Sequence, residues 1–383
     1  MDFRETDEIG LLRKAVAGIA GKYGHSYYVQ QSRAKEPTTA LWDELSAGGF
    51  MGVNLPEEFG GGGGGMTELA VVCEEVAAVG CPMLLMLVSP AICGSIIAKF
   101  GTTEQQQRWL PGLSAGRKMV FAITEPDAGS NSHSISTTAT RHGDGYRING
   151  QKYYISGVDE ADAVLVVTRT GIDERTGRGQ MSLFVVDTDA PGLTKETIDM
   201  QILEPEKQFT VYFDDVEVGP DRLLGVEGEG LRPLFAGLNP ERILTAAIVN
   251  GIARYALDKA ADYARERNVW GVPIGAHQGL AHPLAKAKVD VELARLMTAK
   301  ACWEYDNDLD AAESSNMAKL AATDASLAAL DQAIQIHGGN GMATDYGLAT
   351  LWGMTRLLRI APVSREMILN FVSQHSLGLP RSY

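Results

Sequence analysis

A chain of 383 residues exceeds the ~150 that one domain usually holds, so two or three packed units are expected. With 45% hydrophobic and 21% charged residues the composition is globular, which excludes collagenous, low-complexity and largely disordered designs. A formal net charge of -14 opposes nonspecific nucleic-acid binding, where Lys and Arg must neutralise phosphates, so an anionic ligand has to be held by local donors.

No run reaches the ~18 consecutive apolar residues of a membrane span, and the acidic start MDFRETDEIG suits neither a signal nor a transit peptide. No membrane insertion and a cytoplasmic location are expected. Cys73, Cys81, Cys93 and Cys302 lack C-x-x-C spacing and the seven histidines form no H-E-x-x-H pair, so the thiols are read as structural and no metal site is expected.

Residues 1–117 read as an N-terminal α-helical domain, with 3.6-residue apolar periodicity clearest over Thr67 to Val79 and Pro90 to Phe100. Between them FGGGGGG at 59–65 is a loop, because each glycine loses much backbone freedom on ordering. Residues 118–229 read as a middle β-domain: VLVVTR at 164–169, SLFVVD at 182–187 and FTVYF at 209–213 are strands, separated by turns such as HGDG at 142–145 and APG at 190–192, as in a meander.

Residues 230–383 read as a C-terminal α-helical bundle. Asn239-Pro240 marks a helix start, since Asn caps and Pro fits the first helical position, and two long helices extend to about Asn307. The second carries Leu284, Val291, Ala294, Ala301 and Tyr305 on its core face; a third, about Glu313 to Ile336, has Met317, Leu320, Ala321, Leu327 and Ile334 as its apolar stripe. Gly338-Gly339 stops it by a left-handed turn, and a last helix begins near Ser364. The three segments are expected to pack as one body, since no long Pro/Ser linker separates them.

TEPDAGSN at 124–131 is a small-residue turn that a phosphate could approach closely, yet neither G-x-x-x-x-G-K-[ST] nor a strand-borne G-x-G-x-x-G is present, so P-loop and Rossmann modes lack support. LPEEFGG at 55–61, FAITEPDAGS at 121–130, INGQKYYIS at 148–156, ARERNVWG at 264–271 and QIHGGNG at 335–341 follow one another in an order and spacing that resembles the acyl-CoA dehydrogenase family over about the whole chain.

The resemblance implies a helical N-terminal domain, a middle β-barrel-like domain and a C-terminal four-helix bundle, with bound FAD. It also implies a homotetramer or dimer, an acyl-CoA substrate and an electron-transfer flavoprotein as electron acceptor. By position, Phe121, Ile123, Thr124, Ser130, Tyr154 and Ser156 match flavin and pyrophosphate contacts. Arg267, Gln278, Gln335, Gly338 and Gly339 match contacts made to the adenosine and pyrophosphate across a subunit interface, and Ser364 follows as a further cofactor contact. Hydroxyls and backbone N–H groups suit the pyrimidine edge and phosphates, and an arginine fork suits a diphosphate.

Many family members carry the catalytic glutamate in an I-Y-E-G-T motif, and ungapped counting from QIHGGNG places Pro362 of IAPVS there. Proline offers neither a carboxylate nor the backbone N–H that helps polarise the thioester carbonyl. A minority of the family keeps its base before an arginine on another helix, as L-N-P-E-R at 238–242 does here. Glu241 is thus the expected base, with Arg242, Ser130 and Pro362 as substrate contacts. A helix N-terminus would lower the pKa of Glu241, so substrate binding is expected to supply the opposing desolvation. The alternatives are an oxidase, monooxygenase or desulfinase chemistry on the same scaffold, or a catalytically silent acyl-CoA-binding scaffold.

Overall fold

The computed structural model describes residues 4–175 and 177–381. Helices α1 (Asp7–Ala20), α2 (Gly24–Ala34), α3 (Thr39–Ala47) and α4 (Met66–Ala78) open the chain, followed by a π-helical turn Leu87–Gly94 that runs into α5 (Ser95–Phe100), and α6 (Thr103–Ser114). The expected helix at 90–100 is therefore present in a wider form, with Pro90 inside the π-turn. The glycine run is a loop as expected; a Cβ on Gly61 would lie 2.2 Å from the Leu55 carbonyl oxygen, so only glycine permits that fold-back.

The middle segment contains β1 (Met119–Ala122), β2 (Thr138–His142), β3 (Gly145–Ser156), β4 (Ala163–Ile172), β5 (Gly179–Asp187), β6 (Leu193–Ile198), β7 (Gln208–Val218) and β8 (Leu223–Leu224). Their spatial order is β6-β7-β3-β2-β4-β5-β8, with β1 added parallel to β4. All three expected strands are found, but the sheet is not the expected meander: β3 pairs with β7 instead of β4, and β2 meets β4 in parallel. Alternation of apolar residues identifies strands, whereas pairing depends on contacts far apart in sequence.

Beyond the sheet come α7 (Leu231–Glu266), a short hairpin of β9 (Asn268–Val269) and β10 (Val272–Pro273), α8 (Gln278–Asp306), α9 (Ala312–His337), α10 (Trp352–Ile360) and α11 (Arg365–Phe371). Helix α7 is central, packed by α4, α8 and α9, while α10 packs on α9 and α7, and α11 on α9. Its fully buried Ile243, Leu244, Val249 and Ile252 each contribute about 1.5–3 kcal/mol by leaving water. Among the described residues no helix is long and apolar enough to cross a membrane.

Two expectations for these helices are corrected. Asn239-Pro240 does not begin a helix: α7 starts eight residues earlier and Pro240 is buried within it. The lost N–H of Pro240 frees the Ala236 carbonyl, which accepts from the Tyr305 hydroxyl at 3.2 Å, so a tertiary bond replaces the helical one. On α9 the buried face is Ala318, Ala322, Ala325, Ala329 and Ala333, with Ser and Thr between them. Met317, Leu320, Leu327 and Ile334 are only half-buried and Ala321 is exposed. Small side chains let α9 approach α7 closely, so bulk does not mark this interface. The α8 stripe is as expected, with Val291, Ala294 and Ala301 buried.

Side-chain bonds join the three segments. Asp306, at the end of α8, accepts from the N–H groups of Met66 and Thr67 at 2.6 and 3.0 Å and so caps α4. The loop between β6 and β7 docks on the N-terminal helices: Glu206 Oε1 accepts from Leu84 N–H at 2.8 Å, and Leu203 O from the Tyr28 hydroxyl at 3.1 Å. All four cysteines are buried and outside any disulfide.

Candidate active site

Five expected cofactor residues meet at one end of the β-domain. Phe121 lies on β1, Ile123 and Thr124 follow it, and Tyr154 and Ser156 end β3. The two stretches are joined by Tyr153 N–H donating to Thr124 O at 2.8 Å and by the Lys152 ammonium donating to Ile123 O at 3.0 Å. The β3–β7 register shifts between Lys152 and Ile155, and within that bulge Tyr154 takes φ 58. A left-handed tyrosine costs about 1 kcal/mol or more, and its ring is half exposed, tilted against Tyr153 at a centroid distance of 4.2 Å. Strain that leaves an aromatic face open is typical of a ligand platform. The Ser156 hydroxyl donates to Gln208 Oε1 at 2.9 Å and keeps its lone pairs for a ligand. Ser130 is exposed in the turn beyond.

That turn is anchored from within. Glu125 is buried and accepts from Ser136 N–H at 2.6 Å, Ser136 Oγ at 2.7 Å, Thr137 N–H at 3.0 Å and Lys152 Nζ at 2.8 Å. Although burial opposes its charge, Lys152 and these donors hold the Glu125 carboxyl down at about 2, while burial brings the Lys152 ammonium down to about 8. Neither residue was singled out from the sequence, where both look like surface charges in a turn and a strand.

A second group lies on the C-terminal bundle. Arg267, Gln335, Gly338 and Gly339 line one cavity of about 480 Å³ together with Tyr263, Trp270, His277 and Asn340. Gln278 is exposed at the first position of α8, directly after His277. Gly338 has φ 60 and ψ -136, a glycine conformation that ends α9 but differs from the expected left-handed turn. A larger apolar recess of about 760 Å³ adjoins through Leu280 and Ile336. Neither cavity is lined by Glu241 or by any residue of the β-domain group.

Glu241 occupies the third turn of α7, and the N-terminal dipole expected to act on it is absent. Its side chain retains partial access to solvent, yet surrounding protein desolvates the carboxylate and raises it to about 7; Arg242 and Lys319 pull the other way. Desolvation is thus built into the fold and does not wait for a substrate. Among the described residues no donor bonds the Glu241 carboxylate, which is free to accept a proton. The Arg242 guanidinium bonds backward, to Leu238 O at 3.2 Å and Asn239 Oδ1 at 3.0 Å, and its Nε has no partner.

Pro362 stands in the segment between α10 and α11 after a cis peptide bond. Lys319, on the small-residue face of α9 that large apolar residues do not mark, donates to the carbonyls of Arg359 and Val363 on either side of it. A lysine among the small residues of that helix was the available signal. Ser364 serves as N-cap of α11, accepting from Met367 N–H at 3.3 Å, so its expected cofactor role has to share the hydroxyl with that cap.

These residues suit the FAD that the resemblance implies. The half-exposed strained tyrosine offers a face for a flat ring, Ile123, Thr124 and Ser156 offer its polar edge, and Arg267 with glycine backbone offers donors for a diphosphate. His277 Nε2 is buried without a partner at that second cavity, a polar atom waiting for a ligand.

Models of the acyl-CoA dehydrogenase N-terminal, middle and C-terminal domains match residues 6–117, 120–216 and 228–377. The chain is 57% identical over 384 residues to acyl-CoA dehydrogenase FadE12 of Mycobacterium tuberculosis, covering 100% of this chain and 99% of the relative. It superposes on butyryl-CoA dehydrogenase from Megasphaera elsdenii with a TM-score of 0.93 and 28% identity, covering 99% of this chain and 100% of the other. The FAD complex of PigA gives 0.92 and 25% identity, with 99% and 100% covered. With the three domains matched in order and a relative this similar along its whole length, the chain belongs to the acyl-CoA dehydrogenase family of oxidoreductases.

Proposed function

We propose that this flavoprotein oxidises an acyl-CoA thioester to the trans-2-enoyl-CoA, with Glu241 as the base that removes the α-proton. The observation that carries the reading is the state of Glu241: unbonded, partly accessible, and raised to about 7. A base of that strength is half ionised near neutral pH and gains most from a proton made acidic by the thioester. FAD, the cofactor of this enzyme, supplies when bound the acceptor for the hydride that leaves the β-carbon.

Pro362 can neither accept the proton nor donate a backbone N–H to the thioester oxygen. The position therefore contributes shape, and base chemistry falls to α7. Arg242 shores up the wall behind Glu241 through its bonds to Leu238 and Asn239.

The enzyme works as a homo-oligomer. No residue of the β-domain group lines the Arg267 cavity, and a neighbouring copy would bring that cavity to the adenosine end of the cofactor held by Thr124, Tyr154 and Ser156. Val289, Leu293, Leu296 and Trp303 support this as an exposed apolar stripe at helical spacing on α8. An electron-transfer flavoprotein would reoxidise the cofactor, and fatty acyl-CoA breakdown is the process such a reaction serves.

The test is an anaerobic titration with short, branched, long and cyclic acyl-CoAs, following flavin absorbance in wild type and Glu241→Gln. Bleaching in wild type that Glu241→Gln loses while still binding acyl-CoA supports the reading. A yellow protein that no acyl-CoA reduces overturns it in favour of an oxidase or monooxygenase chemistry, to which the proline at position 362 already points.

A further inference from the structure

Gln208 is a buried amide directly behind the candidate cofactor group. It stands opposite Ser156 in the β3–β7 register and is 4% exposed. An amide that dry is retained when both of its polar ends are met. Here Oε1 accepts from the Ser156 hydroxyl at 2.9 Å and Nε2 donates to Glu204 Oε2 at 3.5 Å.

The 199–207 loop that carries Glu204 is fixed on two sides. Leu203 and Glu206 bond the N-terminal helical segment, and Lys207 O accepts at 2.8 Å from the N–H of Gly157, the residue after Ser156. With Glu204 Oε2 as acceptor, the NH2 end of the amide is turned to the loop and its oxygen to Ser156. A serine hydroxyl has one hydrogen, and once that hydrogen is given to Gln208 only lone pairs are left for a ligand. Reduction adds N–H bonds to a flavin ring, so a neighbour that can only accept favours the reduced ring, a preference lost by a hydroxyl free to donate.

We propose that Gln208 is a positioning residue for the cofactor: oriented by Glu204, it takes the Ser156 hydrogen and presents Ser156 to the flavin as an acceptor, which raises the reduction potential of the bound ring. The proposal rests on Ser156 lying against FAD and is independent of which residue is the base.

The experiment measures the two-electron reduction potential of bound FAD by anaerobic titration against a redox dye, in holoenzyme without substrate, together with flavin content and the visible spectrum. Gln208→Met, Ser156→Ala and the double variant form the cycle. Gln208→Met removes both bonds at similar volume and frees the Ser156 hydrogen. One hydrogen bond that differs between redox forms changes the oxidised-to-reduced ratio roughly three- to tenfold, a fall of about 15–30 mV for a two-electron couple. In the Ser156→Ala background the same change at 208 should no longer move the potential. Ser156→Thr, which keeps the hydroxyl, should retain the Gln208 effect. Where Gln208→Met does not hold flavin, Glu204→Leu, which frees the amide to turn, takes its place in the cycle.

A potential unmoved or raised in Gln208→Met, or lowered equally with and without the Ser156 hydroxyl, overturns the proposal and leaves Gln208 a structural amide between strands. Flavin lost from both Gln208→Met and Glu204→Leu but kept by Ser156→Ala also overturns it, because an effect carried by one hydroxyl cannot exceed removal of that hydroxyl. Ser156→Ala separates the two readings. If its potential and spectrum match wild type, Ser156 does not face the flavin and the proposal falls with that assignment; if they shift while Gln208→Met leaves the potential unmoved, the proposal falls alone.

Discussion

Replacing Lys152 by Met tests whether the turn that carries Thr124 and Ser130 is held by the buried pair beneath it. Relative to its ordinary 4.5, a Glu125 carboxyl at about 2 gains roughly 3 kcal/mol for its ionised form. Burial opposes the Lys152 ammonium and brings it from 10.5 down to about 8, so each charge of the buried pair depends on the other. Because the folded value of Glu125 is depressed, its contribution is present above pH 4.5 and is lost as pH falls toward 2. Met is apolar and fills the space of the lysine stem, but it leaves a carboxylate with three donors and no counter-charge. Breaking one partner of such a pair costs about 3–5 kcal/mol. In denaturant unfolding at pH 7.5, Lys152→Met should lose that much and release FAD on gel filtration. Lys152→Met with Glu125→Gln should recover most of the stability, because no charge remains buried. A single variant within about 1 kcal/mol of wild type, or a double variant as weak as the single, would refute this account of the turn.

Two further outcomes are expected. If Arg267 holds the cofactor diphosphate as proposed, Arg267→Ala should weaken FAD binding about 10- to 100-fold, read by fluorescence titration of apoprotein; Arg267→Lys, a point charge without the fork, should restore only part of it, and equal affinity in all three proteins would place the diphosphate elsewhere. Glu204, buried and near Glu206, is raised to about 8 by desolvation first and by Glu206 second. A raised carboxylate favours the fold fully below its unfolded 4.5, and that benefit is lost as pH rises through about 8. Glu204→Gln should therefore be more stable than wild type at pH 9, by about 1–3 kcal/mol, with the gap closing toward pH 5; a gap independent of pH would show that Glu204 does not carry a raised pKa in the fold.

Much of the architecture was legible in the sequence because it rests on local patterns. Periodicity located α4 and the α8 core stripe, β-branched runs located β4, β5 and β7, and glycine marked the 59–65 loop and the end of α9. The candidate site was proposed from five spaced motifs, and the fold gathers Phe121, Ile123, Thr124, Tyr154 and Ser156 at one end of the β-domain and Arg267, Gln335, Gly338 and Gly339 around one cavity. What local pattern misjudged is informative. Asn239-Pro240 has every mark of a helix start, yet a hydroxyl from α8 satisfies the freed carbonyl and α7 runs straight through. The α9 stripe was sought among its large residues, whereas close helix contact selects small ones, and Lys319 was hidden on that face.

The sequence by itself determined the element types, the family and the identity of the candidate base, since those depend on residue kinds at fixed spacings. Only the tertiary structure decided the proton affinity of the Glu241 carboxylate. Proton affinity is set by burial and by charges brought from other helices, and here Lys319 arrives from a helix nearly eighty positions away. The same holds for the Glu125–Lys152 anchor. Each depends on which distant side chains share a dry volume, a property that spacing along one chain does not encode.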